Sequence, residues 1–154
     1  MFNKLKKAKT QGFTIIEVMI VLAIAALILL IVLLAVPALQ RNARNTTIKN
    51  DASALAAGFS EYISNNNGVI PASISYATPT VTIGAAGSTQ ADVKVNGGTT
   101  VTAAKTTPTA FVASELWWNT GKTCNGTTSS RAITVYYYVE STTPSNTPVC
   151  VDAS

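Results

Sequence analysis

The chain has 154 residues, 47% of them hydrophobic and 12% charged, with no histidine, two cysteines and a formal net charge of +4. That length suits one modest domain, and the missing histidine excludes a Ser-His-Asp triad and any histidine metal site. The charge excess sits in residues 1–12, where Lys4, Lys6, Lys7 and Lys9 stand without an acid, whereas the seven basic residues after Gly12 are balanced by seven acids. The basic character thus belongs to a short leader that the positive-inside rule holds in the cytoplasm, and no specific nucleic-acid partner is expected.

From Val18 to Val36 every residue is apolar, and Glu17 is the one charge between Lys9 and Arg41. A helix over residues 13–36 would be about 36 Å long at ~1.5 Å per residue, enough to cross a hydrocarbon core of about 30 Å with some tilt. An ordinary secretory signal has an apolar region of only about 7–15 residues followed by a small-residue cleavage site. Here the run is longer, and Ala23-Ile24-Ala25 lies in its middle. An ionisable side chain within a spanning helix costs roughly 2.5–3.5 kcal/mol on insertion scales, so Glu17 needs a partner or a purpose. The alternative is a Glu near the end of the span that snorkels to the headgroups.

The stretch Gly12-Phe13-Thr14-Ile15-Ile16-Glu17-Val18-Met19-Ile20-Val21, behind its basic leader, resembles the cleavage site and first helical turns of type IV pilins and the related pseudopilins. The resemblance implies that a membrane prepilin peptidase cuts after Gly12 and methylates the new amino group of Phe13. It implies that Glu17 is the buried carboxylate used in assembly. Pro37 falls about one helical turn later than the family's usual proline, and Ala26 stands where a helix-loosening glycine is common.

Pro37 cannot donate to the carbonyl of Leu33, so a bend is expected there rather than a stop. Beyond it, Leu55, Phe59, Tyr62 and Ile63 recur at helical spacing and predict one apolar stripe laid on a globular head. Asn65-Asn66-Asn67-Gly68 offers residues that tolerate a left-handed C-cap, and Pro71 follows. The expected organisation is a leader over 1–12, a helix over 13–65 and a β-rich head over 66–154.

In the head, Thr80-Val81-Thr82-Ile83, Asp92-Val93-Lys94-Val95 and Thr100-Val101-Thr102 alternate with period two and predict short, edge-like strands. Asn96-Gly97-Gly98 suggests a hairpin turn between the last two. The strongest strand runs from Ala132 to Glu140, with Ile133, Val135, Tyr137 and Val139 on the face expected to meet the helix. Of Trp117 and Trp118, one is expected in the core and one at its boundary. Cys124 and Cys150 fall in the part expected to leave the cytoplasm, so they pair most simply with each other, closing a loop around that strand. Pilins of the disulfide-closed kind carry a loop in a similar place.

The acids of the head are scattered singly and no phosphate-binding glycine loop occurs, so neither catalysis nor a cofactor is expected. Asn45-Thr46-Thr47 and Asn125-Gly126-Thr127 match the short glycosylation sequon. The expected fold is α+β, a long N-terminal helix packed on a small antiparallel sheet with a disulfide-closed C-terminal loop. The resemblance implies a structural pilus subunit. It would be a prepilin in the cytoplasmic membrane first, then be polymerised with copies of itself by a pilus assembly platform into a surface filament for adhesion, twitching motility or DNA uptake. The alternatives are a pseudopilin of a type II secretion or competence system, and a membrane-anchored extracytoplasmic binding domain.

Overall fold

The computed structural model describes residues 12–85, 88–105, 112–141 and 148–153; the leader lysines Lys4, Lys6, Lys7 and Lys9 lie outside the described residues. The chain divides between Gln40 and Arg41 into two compact units, and α1 (Ile15–Asn65) contributes to both. The class is α+β, with a long N-terminal helix packed on mainly antiparallel sheet.

In the first unit α1 is apolar on every side apart from Glu17 and buries none of its side chains, from Ile15 to Leu39. It is long and apolar enough to cross a membrane by length and composition. The helix is unbroken through Pro37.

In the second unit α1 becomes one-sided. Ile48, Ala52, Leu55, Ala56, Phe59 and Tyr62 are buried, a stripe at the three- and four-residue spacing of a helix that covers a core. Gly58 lies where a Cβ would come 2.1 Å from Val93 Cγ2, so the helix approaches the sheet here closer than any other residue permits. The helix ends as its sequence suggests. Asn67 and Gly68 take positive φ, and the Gly68 N–H donates to the Ile63 carbonyl at 2.8 Å, satisfying an otherwise orphaned acceptor.

Seven strands follow. β1 (Ile74–Ala77), β2 (Thr80–Ile83) and β3 (Ala91–Lys94) form an antiparallel sheet in that order. β4 (Thr100–Lys105), β5 (Glu115–Lys122), β6 (Thr128–Tyr138) and β7 (Pro148–Ala153) form a second sheet, antiparallel except that β4 and β5 run parallel. The β6 face expected to meet the helix does so: Ile133, Val135 and Tyr137 share one core with Leu55, Phe59, Val81, Ile83 and Trp118.

Three expectations are corrected. Asn96-Gly97-Gly98 does form a turn, with the Thr99 N–H on the Asn96 carbonyl at 2.9 Å, but it is no hairpin. The Val95 N–H goes to Pro79 and the Thr100 N–H to Ser114, so the two flanking strands are drawn into different sheets. β2 is no edge strand; it lies between β1 and β3, with Val81 paired to Val93. Neither tryptophan stays at a boundary. Trp118 is fully buried with its ring 5.1 Å from that of Phe59, while Trp117 is buried edge-on against Tyr138 at 5.7 Å.

Candidate functional site: the processing junction and the apolar helix

Gly12 and Phe13 precede the helix in exposed, irregular backbone, and Phe13 is 88% exposed. A glycine in such a stretch leaves the backbone open to an approaching active site, and a Cβ at Gly12 would meet nothing of this chain. Thr14 then starts the helix. Its hydroxyl accepts the Glu17 N–H at 3.3 Å, while the Glu17 carboxylate accepts the Thr14 N–H at 2.8 Å and the Thr14 hydroxyl at 2.7 Å. This is a reciprocal capping box, in which Thr and Glu three apart satisfy the donors that the first turn leaves open. The negative charge also lies at the helix end where the backbone dipole favours it.

Glu17 thus has an intrachain partner, Thr14, which was not expected although its signal, a Thr three residues before a Glu, is present in the sequence. The cap leaves the carboxylate in the open: Phe13, Glu17, Val18, Val21 and Leu22 line one shallow groove on the helix surface. Phe13 and Glu17 share that face because four residues make about one turn. Pro37 lies within α1.

In the head, Cys124 and Cys150 form a disulfide, with 26 residues of sequence separation and Cα atoms 5.7 Å apart. Asp152 stands beside the bridge and accepts the Cys124 N–H at 2.8 Å. Its carboxylate and the two sulfurs are near enough together to suggest a metal cluster, but sulfurs joined in a disulfide offer no thiolate ligand. The bridge ties the turn after β5 to β7, where Cys150 pairs with Tyr136 across the ladder.

A second clasp was not foreseen. Arg44 holds Glu140 through two hydrogen bonds of 2.6 and 2.7 Å, the fork geometry that guanidinium and carboxylate share. Asn45 brackets the same residue, its amide nitrogen on the Glu140 carbonyl at 3.0 Å and its amide oxygen on the Glu140 N–H at 2.8 Å. The Arg44 hydrogen bonds hold the Glu140 carboxyl below the usual carboxylate range, aided by the charges of Arg44 and Arg41. Asn45, one of the two sequon asparagines, therefore has its amide committed, while Asn125 is exposed in a turn.

Asp51, buried at 8% exposure, accepts the Thr99 hydroxyl and the Asn96 N–H, the latter at 3.2 Å. It fastens the turn between the two sheets to α1. Nothing in the sequence around Asp51 distinguishes it from the other single acids of the head.

Residues 7–33 match the family model of the prokaryotic N-terminal methylation motif. That motif is of the class III signal peptide kind, and together with the long apolar N-terminal helix it fits a type IV pilin or a related pseudopilin. Such a motif implies processing by a prepilin peptidase, membrane anchoring of the precursor and assembly into a pilus or pseudopilus. No curated protein and no solved structure matches the chain.

Proposed function

We propose that this chain is the structural subunit of a type IV pilus. It waits in the cytoplasmic membrane as a prepilin, is cut after Gly12, is methylated at Phe13, and is passed by the pilus assembly platform into a surface filament. The observation that carries this reading is the conjunction of the methylation motif with a helix whose apolar side chains are all uncovered from Ile15 to Leu39. Such a surface needs a dry partner throughout. Lipid supplies it first, and identical helices from neighbouring subunits supply it afterwards, through contacts that repeat without closing.

Glu17 gives this assembly its register. After cleavage the α-amino group of Phe13 lies beside the Glu17 groove, and the amino group of an incoming subunit neutralises a Glu17 already enclosed by its neighbours. A slipped subunit would leave both charges buried and unpaired, a cost of several kcal/mol. Pro37 provides a point of bending between the packed and the solvated parts of the helix.

The test is to shear filaments from cells that make the protein and to sequence their main subunit by mass spectrometry. The reading requires this chain in bulk, beginning with a methylated Phe13. Filaments that lack it, or hold it at trace level, would point instead to a pseudopilin of a secretion or competence system. An intact Met1 in every copy would leave the membrane-anchored binding domain.

A further inference from the structure

Three Asn-Gly dipeptides occur in the chain, Asn67-Gly68, Asn96-Gly97 and Asn125-Gly126, all with exposed asparagines. This dipeptide is prone to a reaction of its own atoms, because glycine puts no side chain in the way of its backbone nitrogen. The nitrogen attacks the asparagine Cγ, ammonia leaves, and a five-membered succinimide forms. Water then opens the ring at either carbonyl, giving aspartate or isoaspartate. The net change consumes one water and releases one ammonia, with no oxidant or cofactor.

The fold treats the three sites differently. The Gly68 N–H is held by the Ile63 carbonyl at 2.8 Å and the Gly126 N–H by the Thr123 carbonyl at 2.9 Å, so each attacking nitrogen is engaged elsewhere. The Gly97 N–H donates to no acceptor among the described residues. The electrophile at this third site is also prepared. The Asn96 side-chain oxygen accepts the Gly98 N–H at 3.1 Å, which folds the carboxamide back along its own backbone and polarises its carbonyl towards attack.

We propose that Asn96 is a site of spontaneous deamidation, selected by the fold from the three Asn-Gly pairs. The product matters because of its neighbours. Asp51 accepts both the Asn96 N–H and the Thr99 hydroxyl, and the Thr99 N–H closes the turn on the Asn96 carbonyl. A new carboxylate places like charge beside buried Asp51, and isoaspartate adds a methylene to the backbone of the turn. Either change loosens the fastening between α1 and the crossing from β3 to β4, so a long-lived subunit would age first at this point.

The experiment ages full-length protein in detergent micelles at neutral pH and follows amide-to-acid conversion at each asparagine by peptide mass spectrometry. Breaking a backbone hydrogen bond before attack costs about 1 kcal/mol, so Asn96 should convert about fivefold faster than Asn67 and Asn125. In concentrated urea the three rates should converge. Gly97→Ala should suppress conversion at Asn96 and leave tryptophan fluorescence unchanged, since a Cβ there meets nothing within 4 Å. Equal rates in the folded protein, a faster Asn125, a preference that survives urea, or a wild-type rate in Gly97→Ala would each overturn the proposal.

Discussion

Glu17→Gln and Glu17→Leu separate the cap that the structure shows from the assembly role proposed for the same side chain. As an intrachain cap, Glu17 accepts the Thr14 N–H and hydroxyl. Gln also serves at this position of a capping box, whereas Leu removes its reciprocal half and leaves only the Thr14 hydroxyl on the residue-17 N–H. In the proposed assembly role, Glu17 would supply a negative charge to the amino group of the next subunit, and Gln would fail there as fully as Leu. A charge left alone in an apolar surround costs about 3 kcal/mol on insertion scales, roughly two orders of magnitude in an assembly equilibrium. Both variants should therefore insert in the membrane and be cut after Gly12, yet give little sheared fibre relative to total membrane-bound subunit. Normal fibre from Glu17→Gln with loss only in Glu17→Leu would reduce Glu17 to a helix cap. Normal yield from Glu17→Leu would end both roles.

Other consequences are open to measurement. Gly12→Val, which adds a branched side chain at the cut, should accumulate uncut precursor in the membrane, and a mature N-terminus at Phe13 in that variant would contradict the cleavage site. Cys150→Ser opens the 26-residue loop and should lower head stability in urea by about 3.5 kcal/mol on the chain-entropy model, with insertion unchanged; an unchanged midpoint would show the bridge to be dispensable. Phe59→Ala removes the ring packed on Trp118 and should destabilise the head by about 3–5 kcal/mol, followed by tryptophan fluorescence. Because the Glu140 carboxyl is held below the usual range by Arg44, its contribution is complete above its unfolded pKa and is lost as pH falls through the lower folded value. Urea titrations of wild type and Glu140→Gln across the acidic range should thus converge as pH falls; parallel curves would show that the clasp carries no pH dependence.

The sequence by itself determined the elements whose cause is local. The uninterrupted apolar run defines the spanning part of α1, the spacing of Leu55, Phe59 and Tyr62 defines its core face, and Asn67-Gly68 supplies the left-handed residues that end it. Alternation of residue type marks β6, with Ile133, Val135 and Tyr137 on the face that joins the core, although Thr134 and Tyr138 of the other face are buried too. β5 carries no such pattern: Leu116, Trp117 and Trp118 are consecutive and all buried, so both faces of the strand are covered there, and a strand covered on both sides has no polar face to alternate with. Which strands share a sheet was likewise decided by long-range pairing, which the Asn96-Gly97-Gly98 turn could not reveal. The same holds for the site. The motif around Gly12 and Glu17 is legible because its residues are consecutive, whereas the Thr14–Glu17 cap, though equally local, was read only from the structure. Arg44 and Asn45 meet Glu140 across 96 and 95 residues of chain, and Asp51 meets Thr99 across 48, so only the tertiary structure, by bringing α1 against the head, could give those side chains their partners.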